Sequence, residues 1–214
     1  MNDTQNKLHQ HKVVIIHGLW HSRACLAYLA YSLQELGITN VQTFGYNSIF
    51  EAPEVAASKL ANVLIADNQV SLIGHSLGGL IALKTALYNP NLPIKNIVCL
   101  GTPILGSEAA RQLDKKDTSK WILGKSRELL LQGCTQLPNE IAVGMIAGNK
   151  HFLSLGTFLT NLTEENDGVV ILKETYIQGL TDYLIMNTSH NGLLFNKDVA
   201  LQITNFLQHK NFNK

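Results

Sequence analysis

VSLIGHSLGG, residues 70–79, is the stretch on which the reading of this chain turns. A short apolar run ends at Ser76, with Gly74 two residues before it and Gly78 and Gly79 just after it. A buried strand that turns sharply into a helix has this pattern, Gly-x-Ser-x-Gly, and the turn pushes the serine hydroxyl out of the sheet. Small residues are needed there because the strand and helix backbones approach closely. The following helix aims its dipole and free N–H groups at the serine, which favours a developing oxyanion. A serine that only caps a helix would leave the same five residues. Ser76 is therefore a nucleophile only if the chain also supplies a base, an acid and an oxyanion hole.

Outward from this stretch, short apolar runs alternate with helical patterns. Strands are expected at 13–18, 41–46, 70–76, 94–103, 141–149 and 182–190. Their continuous Val, Ile and Leu content suits a parallel sheet covered on both faces. Helices are expected at 22–36, 53–66, 77–89 and 197–208. In the first, Leu26, Leu29, Leu33 and Leu36 keep helical spacing and Gly37 makes a stop. Pro53 sits where a first-turn proline is tolerated, and Asn89-Pro90 ends the third. One connection, about 104–140, is too long for a turn. It reads as a helical, lid-like insertion broken by Gly124 and Gly133, or as an ordinary surface helix pair. The 214 residues are read as one α/β domain.

Composition excludes several classes of function. With 45% hydrophobic and 15% charged residues and a net charge of +1, the chain has neither the makeup of a disordered protein nor a field that attracts nucleic acid. Cys25, Cys99 and Cys134 lack metal-ligand spacing; Cys25 and Cys99 lie in apolar segments and read as core residues. No run approaches the ~18 apolar residues of a membrane span, and the polar MNDTQNKLHQHK start carries no signal-peptide pattern. A cytoplasmic protein is expected, without integral membrane association. Nothing in the sequence sets an oligomeric state.

The missing partners of Ser76 are sought at strand ends, where ligands bind in open parallel sheets. HGLWHS, 17–22, ends the first strand. A tight turn at Gly18 would leave the backbone N–H of Leu19 pointing inward, opposite that of Leu77, as an oxyanion hole. Trp20 could supply the first donor instead, or line the pocket. His17 belongs to the turn and reads as structural. His190, in MNTSHNGLL, ends the last strand and is the base candidate. His75 adjoins the serine, so its side chain must point elsewhere. His9, His11 and His209 are terminal, and His21 and His151 are weaker competitors. The acid candidate is Asp167 in the Asn-Asp-Gly turn of EENDGVV, with Asp182 second because it starts a strand. The order Ser–Asp–His is then workable.

Together, HG at 17–18, GHSLGG at 74–79, GTPILGS at 101–107, NDGVV at 166–170 and TSHNGLL at 188–194 resemble the α/β-hydrolase superfamily. Within it the likeness is to bacterial lipases and to the lipase-like relatives of GPI inositol-deacylases, over about residues 12 to 209. The resemblance implies a serine hydrolase that cleaves carboxylic esters through an acyl-serine intermediate, without cofactor or metal. Ser76 would be nucleophile, Asp167 acid and His190 base, with Leu19 and Leu77 as oxyanion donors. Trp20, Trp121 and Ile122 would contact a small-molecule or lipid acyl-ester substrate. Two departures stand out: Trp20 occupies a position where these lipases commonly have glycine, and Ile104-Leu105 replaces a common His-Arg pair. A thioesterase or acyltransferase using the same three residues is the alternative, and a non-catalytic binding protein of this fold a third.

Overall fold

The computed structural model describes residues 11–117, 119–151 and 161–213. The order is β1 (Lys12–Ile16), a 3-10 turn (Arg23–Leu26), α1 (Ala27–Glu35), β2 (Val41–Phe44), α2 (Pro53–Leu64), β3 (Val70–His75), α3 (Leu77–Tyr88) and β4 (Ile94–Leu100). There follow α4 (Glu108–Asp114), a 3-10 segment (Lys120–Ser126), α5 (Arg127–Gln132), β5 (Ala142–Gly148), a 3-10 turn (Leu172–Thr175), β6 (Asp182–Met186), α6 (Gly192–Phe195) and α7 (Lys197–His209). The six strands form one parallel sheet in the order β2-β1-β3-β4-β5-β6.

Both faces of the sheet are buried, as the unbroken apolar strands require. Alternate residues serve opposite sides. Val14, Ile16, Leu72, Ile97 and Cys99 pack with α2, α3 and the insertion. Val13, Ile15, Ile73, Val98 and Leu100 pack with α1 and α7. α3 is apolar on nearly every side because it lies between the sheet and α2. Cys99 and Cys134 are buried and Cys25 is half-buried. Among the described residues no helix is long and apolar enough to cross a membrane.

Every expected strand and helix is present, but the strands are shorter than the expected spans. β1 ends at Ile16, β4 at Leu100 and β6 at Met186. Each ladder ends with the apolar residues, and the His-Gly, Gly-Thr-Pro and Asn-Thr-Ser-His segments that follow leave the sheet, with Pro103 and His190 lining a cavity. The helix expected over 22–36 opens with a separate 3-10 turn. In the insertion, Gly124 (φ 51°) and Gly133 (φ 70°) do break the helical pattern. A Cβ on Gly133 would lie 2.1 Å from the Ile104 carbonyl oxygen. The insertion therefore folds back hard against its own start.

The tightest packing lies where β3 becomes α3. A Cβ on Gly74 would fall 2.3 Å from the Gly79 Cα, and one on Gly78 would fall 2.3 Å from the Ile16 carbonyl oxygen. These obstacles are backbone and cannot step aside. Gly78→Ala should therefore cost about 1–3 kcal/mol. At this chain length that lowers Tm by roughly 2–12 °C. Thermal unfolding followed by circular dichroism measures the shift, and an unchanged Tm would contradict this close approach.

Candidate active site

Ser76 lies at the junction of β3 and α3 with φ 54° and ψ −123°, a conformation strained for any residue but glycine. The Leu100 carbonyl accepts from its amide at 2.8 Å, and the Ser76 carbonyl accepts from the Gly79 amide at 3.0 Å. Strain at one residue survives because both neighbours are locked: β3 by the ladder, α3 by the glycine contacts.

His190 Nδ1 lies 2.7 Å from Asp167 Oδ2, and both side chains are buried. The other carboxylate oxygen, Oδ1, accepts from the amides of Val169 (3.0 Å) and Val170 (2.8 Å). The His190 amide donates to the Asp167 carbonyl at 2.9 Å. The Asn-Asp-Gly turn thus spends backbone donors on one oxygen and leaves the second aimed at the imidazole. Gly101, at φ 54°, packs against this pair: a Cβ there would lie 3.0 Å from Asp167 Oδ2 and 3.1 Å from His190 Nδ1.

A cavity of about 450 Å³ is lined by Leu19, Trp20, His75, Ser76, Trp121 and His190, among others. The insertion forms much of its wall through Ala109, Ala110, Leu113, Ile122, Leu123 and Leu130. Apart from histidine, no lining side chain is ionisable. A groove of about 540 Å³ beside the start of β5 has no titratable lining residue at all. Among the described residues no three His, Cys, Asp or Glu side chains are grouped to hold a metal ion. Burial pushes the Cys99 thiol up to about 12 and the Cys134 thiol up to about 11. Neither is a competing nucleophile near neutral pH.

Leu19 and Trp20 are now distinguished. The Trp20 amide donates to Ser48 Oγ at 3.0 Å. Among the described residues the Leu19 and Leu77 amides have no such acceptor. Leu77 opens α3, where amides lack partners within the helix. Gly18 is required by space rather than by conformation, since a Cβ there would lie 3.0 Å from that of Ser76. The left-handed residue of this turn is Trp20, at φ 59°. Its exposed indole donates from Nε1 to the Ile122 carbonyl at 2.9 Å and meets Trp121 edge-on, ring centroids 5.9 Å apart. Trp20, Trp121 and Ile122 thus come together at the cavity.

The remaining histidines separate clearly. His17 bonds the Gly18 carbonyl through Nδ1 (2.9 Å), accepts from the Tyr46 amide at Nε2 (3.4 Å) and stacks on the Tyr46 ring. That is the structural place its sequence position suggested. His11 bonds Ser71 at the far end of the sheet, His151 and His209 are exposed, and His9 lies outside the described residues. Asp182 is spent on the Tyr183 and Phe212 amides. His21 lines the cavity and stacks on His75. Two supporting residues, Ser48 and Glu174, had no motif to announce them, and the motif that contains His75 does not say where its side chain goes. Ser48 holds Trp20. Glu174 accepts from the Glu108 and Ile171 amides at 2.5 and 3.1 Å, tying α4 to the Asp167 loop. His75 turns back toward His190, with Nε2 3.0 Å from its carbonyl oxygen.

Residues 13–154 match the sequence model described as the alpha/beta hydrolase family. The chain belongs to that family. Solved structures similar to this family member include the mature lipase BlEst2 from Bacillus licheniformis, at 19% identity and TM-score 0.70, covering 93% of this chain and 91% of that one. Phospholipase PlaB from Legionella pneumophila, solved with thio-NAD, matches at 16% identity and TM-score 0.70. That match covers 93% of this chain and only 56% of PlaB. A pyrethroid hydrolase, PytH, matches at 16% identity and TM-score 0.63, over 94% of this chain and 98% of its own. Identities this low speak for a shared fold. No curated protein sequence matches significantly.

Burial lowers the pKa of His17, and that of His75 falls well below 6.5, with nearby His190 adding to the effect on His75. As pH drops below 6.5 the unfolded chain takes up these protons before the native state does, so native stability is present above 6.5 and lost below it. Tm should therefore fall steadily between pH 7 and pH 5, and His75→Gln should flatten part of that slope. Equal slopes for both proteins in pH-dependent thermal melts would refute this assignment to His75.

Proposed function

We propose that this chain is a serine hydrolase that cleaves carboxylic esters through an acyl-serine intermediate. The observation that carries the reading is the buried His190–Asp167 pair on the wall of the cavity that Ser76 also lines. In this reading His190 Nε2 takes the proton of Ser76 as Oγ attacks the ester carbonyl. Asp167 holds Nδ1–H and stabilises the imidazolium without taking its proton. The Leu19 and Leu77 amides hold the oxyanion, with Trp20 excluded because its own amide serves Ser48. His190 then protonates the leaving alkoxide, and water repeats the sequence on the acyl-serine. The motif likeness to bacterial lipases and lipase-like relatives of GPI inositol-deacylases points to the same chemistry. The names of the structural neighbours, a lipase, a phospholipase and a pyrethroid hydrolase, agree with it.

The apolar wall contributed by the insertion supports an uncharged acyl chain, since a carboxylate buried there would find no cationic partner. The insertion serves as the acyl-site wall, with the Trp20–Trp121 pair at its edge. Each methylene buried adds ~0.8 kcal/mol, about fourfold in kcat/KM, until the space is filled. Profiling p-nitrophenyl esters of increasing chain length should give that rise and then a plateau. A flat profile would remove the cavity from the acyl site, and a strong preference for matched thioesters would favour the thioesterase alternative.

Ser76→Ala should stay folded, lose fluorophosphonate labelling and lose hydrolysis. Asp167→Asn is the sharper probe. Its Oδ1 can still accept from Val169 and Val170, but an amide nitrogen then faces His190 Nδ1–H. Two donors cannot pair, so the imidazole is driven to the wrong tautomer and kcat should fall by about 10⁴-fold. A loss below tenfold in steady-state kinetics would remove Asp167 from the acid role.

A further inference from the structure

We infer that His75 is a positioning residue for the base, acting through the main chain of His190; the inference rests on the triad reading above. His75 is the last residue of β3, fully buried, 115 positions from His190 in the sequence. Its Nε2 lies 3.0 Å from the His190 carbonyl oxygen. A carbonyl can only accept, so Nε2 carries the proton and Nδ1 does not. That Nδ1 is buried without a partner among the described residues. An unpaired buried acceptor carries a cost that a leucine of similar bulk would avoid. Among the described residues the bond to His190 is the hydrogen bond that the imidazole makes here.

Its geometric effect is specific. The His190 amide is already held by the Asp167 carbonyl at 2.9 Å, and its Nδ1 by Asp167 Oδ2 at 2.7 Å. Both tie the base to the acid; neither ties it to the nucleophile. The bond from His75 does, because His75 and Ser76 are consecutive. It closes a short loop of connections from Ser76 through His75 to the His190 backbone, fixing the distance the proton must cross. The His75 and His190 rings also lie 4.6 Å apart, with His21 stacked on the far side of His75 at 5.4 Å. Burial keeps His75 neutral, so no second cation confronts the imidazolium formed on His190.

The test compares His75→Phe, which keeps a ring and loses the donor, with His75→Gln, which restores an N–H at similar reach. With p-nitrophenyl butyrate, the phenylalanine variant should lose about 10- to 100-fold in kcat with KM within about twofold. The glutamine variant should recover to within about threefold of the parent. The low-field proton resonance of His190 Nδ1–H should broaden or vanish in the first variant and persist in the second. Fluorophosphonate titration corrects the rates for the fraction of active protein. Unchanged kcat in His75→Phe, or equal losses in both variants, would overturn the inference. Should His75→Phe fail to fold, His75→Asn, whose amide is too short to reach, replaces it under the same criteria. Retained hydrolysis in Ser76→Ala would overturn the triad reading and this inference with it. Loss in Ser76→Ala beside full activity in His75→Phe would overturn this inference alone.

Discussion

Three backbones converge where β3 ends, and most of the site follows from how closely they come. Gly74 lies against Gly79, Gly78 against the Ile16 carbonyl at the end of β1, and Gly79 against Thr102 beyond β4. No side chain fits between them, so the start of α3 is held against the ends of two neighbouring strands. Ser76 then has one way to connect β3 to α3, through a positive φ that the flanking ladder and helix keep in place. The same contacts bring the His17-Gly18 turn beside the serine and set the open amide of Leu77 at the helix end. Ser76 keeps its strained φ because the strand before it and the helix after it are both held in place.

Asp167 and His190 come from the other half of the sheet and need a different kind of support. Asp167 is held by a local turn: Oδ1 takes two amides from the residues just after it, leaving Oδ2 for His190. Glu174 binds the end of that turn to α4 of the insertion. The Glu174 carboxyl pKa is raised, because burial outweighs the amides and the Arg111 charge that bind it. The insertion is therefore more than a cover. It is fastened to the Asp167 loop at Glu174, to the His17-Gly18 turn through Trp20 and Ile122, and to the segment after β2 through Ser126 and the Ser48 carbonyl. Its apolar residues wall the cavity while its polar ends connect three loops that meet there.

Much of this was legible in the chain. Gly74, Ser76, Gly78 and Gly79 announce a close strand-helix junction, and the unbroken apolar runs announce strands buried on both faces. The Asn-Asp-Gly turn that feeds its own backbone amides to the Asp167 carboxylate was readable because it is a local event. The place of His190 after the last strand was readable from the order of the apolar runs. Where reading stopped short, the reason was the same each time. The expected spans 13–18, 94–103 and 182–190 overran their ladders because where pairing stops depends on the neighbouring strand, which lies far away in sequence. The choice between Leu19 and Trp20 depended on Ser48, a residue 28 positions away whose hydroxyl leaves no trace in HGLWHS.

The sequence by itself determined the parallel sheet and the sharp junction at Ser76, since each rests on periodicity or short-range backbone geometry. Only the tertiary structure decided which amide near Gly18 stays open, what walls the cavity and where His75 points. Those outcomes depend on hydrogen bonds between residues far apart in sequence, such as His75 to His190, Ser48 to Trp20 and Glu174 to Glu108. A buried donor or acceptor must find a partner, but the chain alone does not say which one the fold will bring within reach.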